Sequence, residues 1–351
     1  MLNEKMPFID FRSDTVTWPT TSMRKAMAEA MVGDDVYEED PTVIKLEKMG
    51  AERMGKDAGL FVPSGTMGNL VAILTHCGRG DEVILGDISH SFVYEAGGMS
   101  ALGGVFPHTL PNQPDGKLDL EDIRGAIRTE NVHFPKTRLI ILENTHNRCG
   151  GAVLDATYTQ QVADIAHHAG FPLHLDGARI FNAAVALGVE AKTLAASADS
   201  ITFCLSKALC APVGSVLCGS AEFIGRARRI RKQAGGGMRQ AGILAAAGII
   251  AIEEMVSHLK DDHRRAREIA EGISAIPGLY LDKGMPPTNM VYISLKDEIV
   301  LNTGDIASTM EKQGIRVGVI NPRRFRLVTH FWIDDEAVGK VISSFRIAVK
   351  G

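Results

Sequence analysis

Leu173-His174-Leu175-Asp176-Gly177-Ala178-Arg179 is the stretch on which the reading of the fold turns. Its apolar positions form a run of strand length that ends abruptly in an aspartate and a glycine. Two other runs share this design. Leu139-Ile140-Ile141-Leu142 passes into Glu143-Asn144-Thr145-His146, and Ile201-Thr202-Phe203-Cys204-Leu205 passes into Ser206-Lys207. Strands that are apolar throughout are covered on both faces, as in a mainly parallel sheet flanked by helices. Leu60 to Val62, Val83 to Leu85 and Ser215 to Cys218 add further strand-length runs. Helical periods lie between them. Met23, Ala26, Met27, Ala30 and Met31 follow a cap at Ser22, Asp40-Pro41 opens a helix through Val43 and Leu46, and Asp119 caps one through Ile123 and Ile127. Long helical stretches run from about Gln240 to Met255 and from His258 to Ile273. After Pro277 the pattern becomes strand (Met290 to Leu295), helix (Asp305 to Gln313), two strands (Arg316 to Ile320 and Phe325 to Thr329) and a last helix. The chain therefore reads as α/β: an N-terminal segment (1–20), a large domain (21–255) and a small C-terminal α+β domain (256–351).

Composition narrows the function classes. The 351 residues carry 38 Lys+Arg against 42 Asp+Glu, a net charge of −4, with no excess of cations for an extended nucleic-acid surface. The basic run Arg226, Arg228, Arg229, Arg231 and Lys232 reads as the solvated face of a helix. The longest uncharged apolar run, Ala241 to Ile252, has 12 residues, short of the roughly 20 that span a bilayer. No signal-peptide core is seen at the start. Five cysteines with no CxxC pair read as reduced thiols in a cytoplasmic protein, with neither a disulfide scaffold nor a metal site.

In open α/β sheets ligands sit beyond the carboxyl ends of the strands, so the polar residues at those ends are the candidates for chemistry. Asp176 and Lys207 each follow an apolar strand directly. A pyridoxal phosphate enzyme could use such a pair: a carboxylate keeps the pyridine nitrogen protonated, and a partly desolvated lysine joins the cofactor aldehyde. The plain alternative is a helix-capping aspartate and a surface lysine. Pro63-Ser64-Gly65-Thr66-Met67-Gly68-Asn69 follows another strand and leads into a helical run. Its glycines, hydroxyls and backbone N–H groups at a helix start suit one phosphate, although Ser-Gly-Thr is also ordinary capping chemistry. It is not a nucleotide-triphosphate loop, since GxxxxGK[ST] is absent.

Several motifs together resemble the L-threonine aldolase family. They are Asp10-Phe11-Arg12-Ser13-Asp14-Thr15-Val16-Thr17, Gly33-Asp34-Asp35-Val36-Tyr37, the Pro63 to Asn69 loop, His174 to Arg179, Ser206-Lys207-Ala208-Leu209-Cys210-Ala211-Pro212-Val213-Gly214-Ser215, Gly235 to Gly242 and Arg326-Leu327-Val328-Thr329-His330. The resemblance runs in order from about residue 9 to 330. One minor departure is Ala208, where the family usually has glycine. It implies an aspartate-aminotransferase-like fold (fold type I of pyridoxal phosphate enzymes), with a mainly parallel seven-stranded sheet in the large domain. The implied activity is retro-aldol cleavage of L-threonine or L-allo-threonine to glycine and an aldehyde, by a homotetramer built as a dimer of dimers with sites shared across the dimer. The alternative within the fold is an aminotransferase or amino-acid racemase.

The resemblance also implies roles. Lys207 would carry the cofactor, Asp176 would pair with the pyridine nitrogen, and Arg179 would approach the cofactor phenol oxygen or the substrate carboxylate. Gly65 and Thr66 would hold the phosphate, helped by Lys232 and Arg239 of a neighbouring subunit. His90 would stack on the ring, and Ser13 with Arg326 would clamp the substrate carboxylate. Tyr37 would be offered across the dimer. His90 or His133 would take the β-hydroxyl proton, while His330 reads as structural.

Overall fold

The computed structural model describes residues 8–350. They form two compact units, one comprising Trp18–Val256 and the other joining the residues up to Thr17 to those from Ser257 onward. The chain enters in the second of these with β1 (Ile9–Asp10).

The larger unit is built on β2 (Ala58–Val62), β3 (Asp81–Gly86), β4 (Phe106–Leu110), β5 (Lys136–Glu143), β6 (Leu173–Asp176), β7 (Ser200–Cys204) and β8 (Ser215–Gly219). Their order is β2-β8-β7-β6-β5-β3-β4. Only β8 runs against its neighbours; every other pair is parallel, as the apolar runs predict. The carboxyl ends of β2, β7, β6, β5 and β3 consequently emerge along one edge. Every residue of β6, β7 and β8 is buried, because helices cover both faces. Leu60, Val62 and Leu217 pack with Val71, Ala72 and Phe223, while Val83, Leu85, Leu139 and Ile141 pack with Ile73 and Met99.

Local chemistry sets the helix bounds. Asp40 accepts from the N–H groups of Thr42 and Val43, Pro41 opens the helix Pro41–Met54, and Gly55 stops it at φ +63°. The first helix spans Thr21–Ala28, and its cap is Thr20, whose hydroxyl accepts from Met23 N–H at 3.2 Å, in place of the expected Ser22. The basic run divides. Arg231 is 2% exposed and turns inward, with Nη2 2.7 Å from Asp35 Oδ2 and Nη1 donating to Phe61 O at 2.7 Å. Arg228 pairs with Glu47 at 2.8 Å, and Glu47 also accepts from Phe61 N–H. Arg228 and Arg231 thus tie the helix to β2, while Arg226, Arg229 and Lys232 face water as the sequence pattern suggests.

The smaller unit holds β9 (Leu279–Tyr280), β10 (Met290–Leu295), β11 (Ile315–Arg316), β12 (Gly318–Asn321) and β13 (Arg324–Val328). The antiparallel order is β12-β13-β10-β9, and β1 pairs in parallel with β11. Helices Leu259–Ser274, Thr303–Lys312 and Asp335–Ala348 join a core around Phe325 and Phe345, whose rings meet edge to face at 5.3 Å. In β13 burial alternates, so Arg326 faces away from Phe325 and Leu327.

Helix Pro41–Met54 sits so close to β2 that a Cβ added at Gly59 would lie 2.4 Å from the carbonyl oxygen of Glu47. Gly59→Ala should therefore lower stability by about 2 kcal/mol through overpacking. The urea midpoint measures it, and an unchanged midpoint would mean that the helix can slide on the strand.

Candidate active site

Along the carboxyl edge, the helix Gly65–His76 starts where β2 ends. Ser64 Oγ accepts from Met67 N–H at 3.1 Å, and the first intrahelical bond is Gly68 N–H to Ser64 O at 3.0 Å. The N–H groups of Gly65 and Thr66 precede that bond and belong to the positive end of the helix, a natural seat for a phosphate. Two glycines bring this turn against β7. A Cβ at Gly65 would lie 2.7 Å from Cys204 Sγ, and one at Gly68 would lie 2.5 Å from Thr202 Cγ2.

Beyond Cys204 the chain turns through Leu205-Ser206-Lys207. Leu205 N–H is held by Gly214 O at 3.0 Å, and Lys207 O accepts from Cys210 N–H at 2.9 Å, with Cys210 at φ +64°. Lys207 is half-buried there. On the adjacent strand β6, Asp176 pairs in register with Thr202 on one side and Glu143 on the other. Its carboxylate is 2% exposed, yet both oxygens are satisfied: Oδ1 accepts from Ala178 N–H at 3.1 Å and Oδ2 from Asn69 Nδ2 at 2.8 Å. Arg179, also buried, precedes the helix Ile180–Leu187.

His90 follows β3. Its N–H donates to Glu143 Oε2 at 2.7 Å, and its Nδ1 lies 2.9 Å from Glu95 Oε1. Asn69 joins the two sides. Its amide nitrogen donates to Glu95 Oε1 at 2.9 Å as well as to Asp176, and its oxygen faces His174 Nε2 at 3.3 Å. His174 Nδ1 in turn meets Ser200 Oγ at 2.9 Å, which meets His76 Nε2 at 2.8 Å. Burial drives His174 down to about 4 and His76 to about 3, so both imidazoles are neutral near pH 7. His90 differs. Burial acts to lower it, but the bond to Glu95 and the charge of Asp176 outweigh burial and the opposing Lys207, and its proton affinity rises. Glu95 is raised by burial and by Asp176, against the pull of His90 and Asn69. Donor atoms of His90, Glu95 and Asp176 lie within 4.8 Å of one another, a spacing a metal ion could use. Asn69 instead directs N–H groups at both carboxylates, which disfavours a cation between them.

An anion seat, an amine, a buried carboxylate and an imidazole along one edge fit pyridoxal phosphate. Gly65, Thr66, Lys207, Asp176, Arg179 and His90 all lie on the loops and strand ends of that edge. His133 does not. It occupies an exposed turn before β5, at the opposite end of an eight-residue strand, about 26 Å from the edge. Tyr37 (72% exposed), Lys232 and Arg239 are on the surface, Arg239 Nη1 reaching Asp34 at 3.1 Å. In the smaller unit, Arg326 Nη2 donates to Arg12 O at 3.2 Å, beside Ser13. His330 is buried with Nε2 2.9 Å from Asp10 O, a structural placement as expected. Sequence reasoning missed Glu95, and it quoted Asn69, His174 and Glu143 without giving them a part. Asn69 had a signal, one helical turn after Gly65; Glu95 had none, because the turn after Val93 breaks the helical period.

The β-eliminating lyase family model matches residues 10–296. The chain is 47% identical to low-specificity L-threonine aldolase 1 of Arabidopsis thaliana, over 98% of this chain and 97% of that one. It is 43% identical to the low specificity L-threonine aldolase of Escherichia coli (strain K12), over 96% and 98%. A solved structure of Leishmania major threonine aldolase superposes with a TM-score of 0.79 at 21% identity, covering 97% of this chain and 98% of the other, which shows a shared fold. By these matches the chain belongs to the β-eliminating lyase family, within its low-specificity L-threonine aldolase group.

Proposed function

We propose that this protein is a pyridoxal-phosphate-dependent carbon–carbon lyase that cleaves L-threonine and L-allo-threonine to glycine and acetaldehyde. The observation that carries the reading is the buried, doubly hydrogen-bonded Asp176 on the strand beside the one that delivers Lys207. Bound pyridoxal phosphate supplies an electron-accepting ring and an aldehyde that joins to amines. Lys207 would hold that aldehyde through its side-chain amine, the position the amino group of the substrate would take. Asp176 keeps a proton on the pyridine nitrogen, and the N–H groups of Gly65 and Thr66 bind the phosphate. Arg179 faces the cofactor phenol oxygen or the substrate. Ser13 and Arg326 hold the carboxylate, which orients the Cα–Cβ bond for cleavage in preference to Cα–H. His90 covers the ring and accepts the β-hydroxyl proton.

The active unit is a homotetramer, a dimer of dimers in which a second copy supplies Tyr37, Lys232, Arg239 and His133. The exposure of these four residues supports that assignment. So do the exposed apolar side chains of Met31, Val32, Ile44 and Ile243; Thr42 Oγ1 donates to Met31 O at 2.6 Å, and Gly242 lies against the same carbonyl. The site works in a reducing, cytoplasmic setting, which is supported by five buried cysteines that form no disulfide among the described residues. Among the described residues no single helix is long and apolar enough to cross a membrane.

Incubation with L-threonine or L-allo-threonine, with no keto-acid acceptor, should release glycine and acetaldehyde; formation of a keto acid instead would mark an aminotransferase. Lys207→Ala should lower turnover on the order of 10³-fold or more. Arg326→Ala should chiefly raise KM for threonine, by roughly 10- to 100-fold, through loss of a charged hydrogen-bond pair. Co-expressed Lys207→Ala and Arg239→Ala copies should recover activity that neither has alone. Absence of recovery would place Arg239 in its own subunit's site.

A further inference from the structure

The buried amide of Asn69 settles the protonation pattern around it. Both of its N–H bonds are spent on carboxylate oxygens, Asp176 Oδ2 at 2.8 Å and Glu95 Oε1 at 2.9 Å, and a carboxylate oxygen of this kind accepts. Its own oxygen therefore faces an N–H, which assigns the proton of His174 to Nε2. Glu95 Oε1, already accepting from Asn69, is an acceptor toward His90 as well, 2.9 Å from Nδ1. His90 then carries its proton on Nδ1, and Nε2 is left with the lone pair.

We propose that Glu95, anchored by Asn69, is a positioning residue for the proton transfer: it fixes the His90 tautomer, presents Nε2 as the base, and balances the imidazolium charge that forms when His90 takes a proton. The inference rests on the reading of His90 as the base in an aldolase. In that step the β-hydroxyl proton moves to Nε2, and the O–H electron pair becomes the second carbon–oxygen bond of the aldehyde. Pyridoxal phosphate, when bound, would accept the Cα–Cβ electron pair and return it to Cα with one proton to make the new C–H bond, so that no net proton is consumed.

A carboxylate that is 7% exposed is an expensive means of holding a ring in place if only hydrogen bonding is needed. A glutamine could accept the same two bonds through one oxygen. The charge is what glutamine lacks, and it acts on His90 among a definite set of groups. Asp176 from the end of β6 adds to it, Lys207 from the turn after β7 opposes it, Glu143 from the end of β5 holds the His90 backbone, and the Tyr94 ring lies 5.6 Å away. The raised proton affinity of His90 agrees with this balance.

The test compares wild type, Glu95→Gln, Glu95→Asp and His90→Phe, each with saturating cofactor and again as apoprotein. Histidine-selective NMR follows the imidazole titration, the His90 signal being the one lost in His90→Phe. In Glu95→Gln the His90 pKa should fall by about 1 unit with the Nδ1–H tautomer retained. The kcat for threonine cleavage should drop on the order of 10- to 100-fold, with KM nearly unchanged and the acid limb of the kcat profile moved to lower pH, because a weaker base is deprotonated earlier. Glu95→Asp should keep the charge and a titration close to wild type, and it supplies the comparison if the glutamine variant folds poorly. An unshifted titration in Glu95→Gln overturns the inference. So does a shifted titration with an unmoved kcat limb, which removes His90 as the base yet leaves the aldolase reading standing on product release. Failure of wild type to release glycine and acetaldehyde strikes the aldolase reading itself, independently of the titration.

Discussion

A carboxylate closed off from water at the end of a central strand must find donors in the protein, and much of the larger unit is arranged around that need at Asp176. Leaving a buried charge unpaired costs several kcal/mol, comparable to a large part of a domain's net stability. The backbone N–H of Ala178 serves one oxygen, and Asn69 serves the other from the helix Gly65–His76. That helix is thereby pinned to the carboxyl edge by its second turn, while Gly65 and Gly68 let its first turn press on β7. The same contacts that neutralise the cost of burial therefore place an anion-binding helix start beside the strand that leads to Lys207.

The parallel order of the sheet makes this economical. Strands β2, β7, β6, β5 and β3 release Ser64, Leu205, Gly177, Asn144 and the segment before His90 at one edge, so residues separated by more than a hundred positions in sequence meet without long loops. The one reversed strand, β8, returns through Gly214, whose carbonyl holds Leu205 and so the turn carrying Lys207. Farther from the edge, Arg231 and Arg228 bind Asp35 and Glu47, and Glu47 is held above its ordinary value by burial despite Arg228. This second buried network fixes helix Ala221–Gln233 on β2, and with it the chain that continues into Gly236, packed on Met67.

What could be read from the sequence was what repeats locally. Apolar runs ending in polar residues identified the strands and Asp176 and Lys207, and Asp40-Pro41 and Asp119 marked two helix starts that the structure shares. Burial alternation at Arg326 was equally legible. The misreadings share a cause, in that each depended on what lies across space. Arg228 and Arg231 have the spacing of a solvated face, and only Asp35 and Glu47, far away in the chain, draw them inward. The strand expected from Arg316 to Ile320 is divided at Val317, because Ile315 and Arg316 pair with Ile9 and Asp10 whereas Gly318 onward pairs with β13. Two-residue β9 was invisible for the same reason: it exists through its pairing with β10.

Glu95 shows why the site itself was only half legible. A nucleophile, an electron sink and a phosphate seat are chemical necessities, and residue types at strand ends announce them. The groups that orient those residues are chosen by geometry alone. Glu95 follows a short helix after a break in period and next to Ala96 at φ +53°, so neither spacing nor composition separates it from any surface acid. Its meaning arises from Asn69, which accepts nothing from either carboxylate and so imposes one direction on the hydrogen bonds from His174 through to His90. A buried side-chain amide between two acids transmits orientation, because exchanging its oxygen and nitrogen would set oxygen against oxygen at both contacts. The tautomer of a histidine at the reacting edge is thus determined by an asparagine that the substrate need not touch.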